Sequence, residues 1–151
     1  MIHPLAECLN KKVPLSTQIW QYVVVLPDAV IGENCNICAH CFIENDVIIG
    51  NNVTVKCGVY IWDGIILEDN VQIGPNVTFT NDKYPRAKQA FKIQRTLIKK
   101  NASIGAGSII LGGVTIGENV LVGAGSLVTK DIPDNELWFG TPAKFIRKIA
   151  R

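Results

Sequence analysis

An all-β parallel solenoid, a β-helix coiled from hexapeptide repeats, is the fold this sequence predicts, and three columns of residues predict it. An aliphatic residue returns at every sixth position, a smaller side chain stands two places before it, and a turn-forming residue stands three places after it. Stepping by six from Ile19 gives Val25, Ile31, Ile37, Ile43, Ile49, Val55, Ile61, Leu67, Ile73 and Phe79. After a break the step resumes at Ile98, Ile104, Ile110, Ile116, Val122 and Val128, so 16 of 17 positions are Ile, Val or Leu. A strict six-residue step drifts around a helix of 3.6 residues per turn, and β-branched side chains favour strands.

The smaller column runs through Cys35, Cys41, Val47, Val53, Val59, Ile65, Val71 and Val77, then Ala102, Ser108, Val114, Val120 and Ser126. Such side chains suit a tight inward corner. The third column holds Asn34, His40, Asp46, Asn52, Gly58, Gly64, Asn70, Asn76, Asp82, Asn101, Gly107, Gly113, Asn119, Gly125 and Asp131, types that tolerate a left-handed backbone. Short strands broken by a turn every six residues stack rung on rung at the strand spacing of roughly 4.8 Å. The sequons at Asn52, Asn76 and Asn101 fall in the turn column and are read as turn chemistry.

Bulk properties narrow the classes. At 151 residues and 48% hydrophobic, the chain is read as a single domain, 1–151, that buries a core without disulfides or metal. Residues 1–18 form a lead-in, 80–97 a projecting loop and 133–151 a tail. A net charge of +2 offers no global field for nucleic acid, and the few aromatics are not interleaved with the basic residues. No run approaches the roughly 18 to 20 apolar residues of a membrane span, so the expected setting is the cytoplasm. Five cysteines are an odd count, which favours free thiols over a disulfide framework. The spacing Cys35, Cys38, Cys41 superficially suggests a metal cluster, but Cys35 and Cys41 lie in the inward column, and no metal site is expected.

The repeat pairs Ile31-Gly32, Ile49-Gly50, Ile73-Gly74, Ile104-Gly105, Ile116-Gly117 and Val122-Gly123 resemble those of the hexapeptide-repeat acyltransferases over nearly the whole chain. The resemblance implies a left-handed coil with three hexapeptides per turn, a homotrimer with sites between subunits, and acetyl-CoA as co-substrate. Thr17-Gln18-Ile19-Trp20, Trp62-Asp63-Gly64, the run from Phe79 to Arg86, and Gly140-Thr141-Pro142-Ala143-Lys144 look like the nucleotide-sugar N-acetyltransferase branch. Trp62-Asp63-Gly64 and Asn81-Asp82 most resemble enzymes acting on dTDP-linked 3-amino-3,6-dideoxyhexoses made for surface polysaccharides. Enzymes for UDP-linked amino sugars share much of the pattern.

With 18 residues per coil, Asn45, Asp63 and Asn81 stack on one corner. Between Phe79 and Ile98 the chain carries 13 residues beyond the repeat, and a long loop on a regular scaffold is usually functional. Asn81 is expected to orient the sugar amine or its neighbouring hydroxyl while Asp63 accepts a hydrogen bond from the amine, its proton going to Asp63 or to the departing thiolate; the alternative is that both are turn residues only. Trp62, Asp82, Tyr84, Arg86 and His40 are substrate-binding candidates, His40 only if a neighbouring subunit brings it close. The loop's basic residues are either a solvated surface or a cradle for phosphates. Small Ala106 and Ala124, 18 apart, would admit the pantetheine arm of the coenzyme. Thr129, Lys130, Pro142, Ala143 and Lys144 match the coenzyme positions of the relatives, and Arg147 is added to them. Lys144 to Arg151 is read as a short basic helix capping the last coil.

Rivals are weaker. A γ-type carbonic anhydrase needs three His per zinc, and the chain has two. Sugar O-acetylation is disfavoured because the loop lacks the His base that those relatives carry. A non-catalytic structural solenoid leaves the 13-residue insertion unexplained, and no regular outward Thr array suggests ice binding.

Overall fold

The computed structural model describes residues 1–150, and these coil into a three-sided parallel β-solenoid, consistent with the left-handed sense the resemblance implies. The repeat is visible in the register. Ile19 pairs with Ile37, Ile37 with Val55 and Val55 with Ile73, each 18 residues apart. Ile73 then pairs with Ile104, 31 residues on, and the excess of 13 is the projecting loop.

Each side of the coil is a ladder of mostly two-residue strands whose second residue points inward. Outward residues differ from side to side. The first face has eight strands and shows Gln18, Asn36, Thr54, Gln72 and Ser103 in register; we call it the polar face. The second has seven strands and shows Val24, Phe42 and Tyr60, the aromatic face. The third has five and shows Val30, Ile48, Ile66 and Leu97, the aliphatic face.

The core is the six-step column itself: every repeat position from Ile19 to Val128 is buried. The smaller column is buried too, including Ser108 and Ser126, whose hydroxyls both donate to the Gly123 carbonyl at 3.1 and 2.6 Å. Cys35 and Cys41 are part of this core, and burial pushes the Cys41 thiol up to about 11. Twelve of the fifteen turn residues adopt the left-handed backbone, His40 among them at φ 61°. Asp46, Asp82 and Asp131 do not. Side-chain caps brace two of those turns: the Asp46 amide donates to Asp63 Oδ1 at 2.7 Å, and Asp131 Oδ1 accepts the Thr115 amide at 2.7 Å.

Among the described residues the expected C-terminal helix is absent, and Arg151, the last residue of that expected helix, lies outside them. Glu136–Gly140 and Ala143–Lys148 instead form an antiparallel pair that extends the polar face beyond the last coil. The physical reason is the open ladder: Leu121–Val122 leaves unpaired amides and carbonyls, and an added strand satisfies them where a helix would not. Beneath the hairpin, Glu136 accepts Lys148 Nζ at 2.6 Å and Trp138 Nε1 at 2.7 Å. These hydrogen bonds, Lys148 first, hold its carboxyl below the ordinary range.

Two tests follow from the packing. Ile61→Ala removes fully buried volume at a site where stacked rungs resist collapse, and should cost about 2–5 kcal/mol in a denaturant titration. Because the folded state depresses the Glu136 pKa, its stabilisation is present above the unfolded carboxylate pKa and is lost as pH falls through the folded value. Glu136→Gln should therefore lower Tm at pH 7, with the deficit from wild type vanishing in acid below the ordinary carboxylate range.

Candidate active site

The corner between the aromatic and aliphatic faces holds the loop and the residues expected to do chemistry. Each coil clamps the next here through side chains. Asn45 Oδ1 accepts the Asp28 amide at 3.1 Å, Asp63 Oδ1 the Asp46 amide at 2.7 Å, and Glu44 Oε2 the Asp63 amide at 2.6 Å. Asn81 Nδ2 donates to the Asp63 carbonyl at 3.1 Å. Asp63 and Asn81 thus meet as the 18-residue spacing predicts, with Asp63 Oδ1 engaged in bracing the turn.

The loop crosses the corner at two glycines. It leaves over Gly112, where an added Cβ would come within 2.9 Å of the Thr80 carbonyl oxygen and 3.2 Å of the Asn81 Cα. It returns over Gly64, φ 91°, where an added Cβ would lie 2.4 Å from Ile93. Hydrogen bonds fix both crossings, from the Gly112 amide to Thr80 Oγ1 at 2.9 Å and from the Gln94 amide to the Asn81 carbonyl at 2.9 Å. Trp62 is anchored beside them, its Nε1 donating to the Phe79 carbonyl at 2.9 Å.

The loop's other candidates do not converge on Asp63. Asp82 Oδ1 caps the Tyr84 amide at 3.0 Å, Tyr84 is 74% exposed, and Arg86 reaches only the Pro85 carbonyl. Arg95 pairs with Asp46 at 2.8 Å, an exposed bridge worth little on its own. Lys83 and Lys130 line a depression of about 520 Å³ with Gln94, Gly112, Gly113 and Thr129, on the same corner toward the C-terminal end.

His40 sits on the other edge of the aromatic face, stacked on Tyr22 with ring centroids 5.0 Å apart. Between His40 and Trp62 runs a groove of about 410 Å³ walled by Tyr22, Val24, Phe42 and Tyr60. Trp62 closes its end, 5.8 Å from Phe42 and 5.9 Å from Tyr60 between ring centroids. The sequence motifs do not single out Tyr22, Phe42 and Tyr60. Phe42 and Tyr60 lie 18 apart in the outward column, a signal that stacking of that column would have given.

The expected coenzyme residues divide between corners. Ala106 and Ala124 are exposed on the corner between the polar and aromatic faces, joined by the bond from the Gly125 amide to the Ala106 carbonyl at 2.8 Å. The hairpin turn carrying Pro142, with Lys144 just beyond it in the second strand, is tied there through Thr141 Oγ1 to the Gly125 carbonyl at 3.2 Å. Thr129 and Lys130 lie across the aromatic face on the loop corner. Ala143 is only 4% exposed, and Arg147, opposite Leu137, lies toward the far end of the hairpin. A six-residue side spans roughly 15 Å or more, so one chain does not bring Ala106 to Asp63.

The sequence signature described as bacterial transferase hexapeptide, six repeats, matches residues 16–45, 46–81 and 95–130. The chain belongs to this family. It is 60% identical to the dTDP-3-amino-3,6-dideoxy-alpha-D-galactopyranose 3-N-acetyltransferase of Aneurinibacillus thermoaerophilus over 144 residues, 95% of this chain and 75% of that one. A variant of the GDP-perosamine N-acetyltransferase from Caulobacter crescentus, in complex with CoA and GDP-perosamine, superposes with a TM-score of 0.72 at 27% identity, covering 84% of this chain and 54% of that one. A variant of an N-acyltransferase from Bacillus cereus, in complex with dTDP and coenzyme A, gives 0.62 at 25% identity, covering 91% and 85%.

Because Asp63 Oδ1 caps a turn, its structural and chemical roles separate by substitution. Asp63→Ala should cost about 0.5–2 kcal/mol in urea unfolding, while Asp63→Asn, which keeps an acceptor, should unfold near the wild-type midpoint. Equal stability of all three proteins would remove the bracing role.

Proposed function

We propose that this protein transfers the acetyl group of acetyl-CoA to the amino group, at C3, of a dTDP-linked 3-amino-3,6-dideoxyhexose destined for a surface polysaccharide. The observation that carries this is the joining of Asp63 and Asn81 on one corner, beneath a 13-residue loop and beside Trp62. The 60% identical relative named for that reaction supports the choice of sugar.

The reaction requires an uncharged amine beside the thioester carbonyl and a place for its proton. Asp63 Oδ2 accepts a hydrogen bond from the amine while Asn81 orients it. The amine attacks the carbonyl carbon, the carbon–sulfur bond breaks, and the proton passes to Asp63 or to the departing CoA thiolate. An amine is a better nucleophile than a hydroxyl, so no loop histidine is needed. Trp62 and the aromatic groove take the sugar and base, with Asp82, Tyr84, Arg86 and His40 completing the pocket. Ala106, Ala124, Thr129, Lys130, Pro142 and Lys144 take CoA, with Arg147 at its margin.

Two features favour a site between subunits of a homotrimer. The coenzyme corner and the amine corner lie on opposite edges of the aromatic face, and the loop candidates project outward. A neighbour's coenzyme corner set against this chain's loop corner unites them. The runner-up, a UDP-linked amino sugar, shares the same mechanism and differs only in the base pocket.

The test is turnover of Asp63→Asn and Asn81→Ala on a panel of dTDP- and UDP-linked amino sugars with acetyl-CoA, read by thiol release. kcat/KM should fall about 10²–10⁴-fold in Asp63→Asn without loss of folding. Near-normal values in both variants would overturn the assignment, and an active monomer by light scattering would overturn the shared site.

A further inference from the structure

Two free thiols lie along the corner between the polar and aromatic faces, outside the chemistry above. Backbone hydrogen bonds link the residues of that corner rung by rung: the Gly58 amide to the Ala39 carbonyl, the Asn76 amide to that of Cys57, the Gly107 amide to that of Pro75, and the Gly125 amide to that of Ala106. Ala39, Cys57, Pro75, Ala106 and Ala124 therefore form one column up the outside of the solenoid. Cys57 is exposed in this column. At roughly 4.8 Å per coil it lies about 14 Å below Ala124, a distance an extended pantetheine arm spans. Cys57 also shares a coil with Asp63. In a rotationally symmetric trimer whose axis follows the solenoid, equal positions stand at equal height, so a thioester presented to Asp63 has its sulfur level with Cys57 of the neighbouring chain.

Cys38 stands one coil below, paired diagonally. Its amide bonds to the Val55 carbonyl at 2.9 Å and the Gly58 amide bonds to the Ala39 carbonyl at 3.2 Å, so the half-buried Cys38 lies against the Lys56–Cys57 segment of the next coil. Cys41, the third thiol nearby, is buried and donates to the Lys56 carbonyl at 3.2 Å, which removes it from exchange.

We propose that Cys57 is a modification site for oxidised coenzyme A, at the thiol end of the coenzyme track, with Cys38 as the thiol that resolves the adduct. This rests on the coenzyme-binding reading above. The Cys57 thiolate attacks one sulfur of CoA disulfide, forming a protein–CoA mixed disulfide and releasing one CoA thiolate. Cys38 then attacks the Cys57 sulfur, closing a Cys38–Cys57 disulfide and expelling the second CoA thiolate. Two protein thiols are oxidised and one CoA disulfide is reduced. Burial pushes the Cys38 thiol up, so the second step is the slower and the mixed disulfide accumulates near neutral pH. The adduct would fill the track and block acetyl-CoA.

The experiment exposes the reduced protein to CoA disulfide or, at equal concentration, to the disulfide of cysteamine, which shares the reactive end but lacks the nucleotide. Mass spectrometry of the intact chain and its peptides reads the products. CoA disulfide should label Cys57 at least about tenfold faster than cysteamine disulfide, since a bound arm raises the local concentration. The label should be absent in Cys57→Ser and persist in Cys38→Ser, whereas wild type goes on to lose two hydrogens. Equal rates with both disulfides, or label on another cysteine, would overturn the proposal. Calorimetry with reduced CoA separates the two levels: binding without preferential labelling defeats only this inference, and absence of binding defeats the coenzyme reading with it.

Discussion

The rest of the molecule depends on the parallel stacking of one coil on the next at an 18-residue interval. A two-residue strand has almost no stability alone, so its amides and carbonyls must find the coils above and below, and its inward residue must find the same column of aliphatics. The inward ladder from Ile19 to Val128 and the backbone ladder on each face enforce the same register, because a slip of one residue would turn the core outward. That shared register lets residues far apart in sequence act as neighbours.

The corners follow from the register. A turn must be made every six residues, and two solutions recur: a residue in the left-handed region, or a side chain from an adjacent coil that caps a free amide. At the corner between the aliphatic and polar faces the left-handed residues also form a side-chain ladder, with Asn70 donating to Asn101, Asn101 to Asn119 and Asn119 to Asn135 at 2.8–3.1 Å. At the loop corner the capping groups are carboxylates and amides, among them Asp63. A residue that braces a coil is held rigidly, and rigid placement is also what a group meeting a substrate amine needs. The two roles are compatible because a carboxylate has a second oxygen to offer.

The three faces divide the labour. The polar face carries Gln, Asn, Thr and Ser outward in register and ends in the added hairpin. The aromatic face is a shallow groove bounded by His40 on one edge and Trp62 on the other. The aliphatic face meets it at the loop. This asymmetry sets the corner of Ala106 and Ala124 and the corner of Asp63 and Asn81 on separate edges, and for that reason the proposed chemistry calls on a second subunit.

The sequence by itself determined the solenoid, its period, its buried columns and the place and length of the insertion, because each is a repeat of the same local constraint. It also placed Asp63 and Asn81 together, since a fixed period converts spacing into adjacency. What only the tertiary structure decided lies where the repeat stops governing. The tail became a hairpin in place of the expected helix because an open strand edge outweighs local helical preference. Asp46, Asp82 and Asp131 stayed out of the left-handed region. Tyr22, Phe42 and Tyr60 emerged as a groove only once outward side chains were set side by side, and Ala106 was separated from Asp63 by the width of a face, because three-dimensional distance across the coil depends on which edge a residue occupies, and not on its count along the chain.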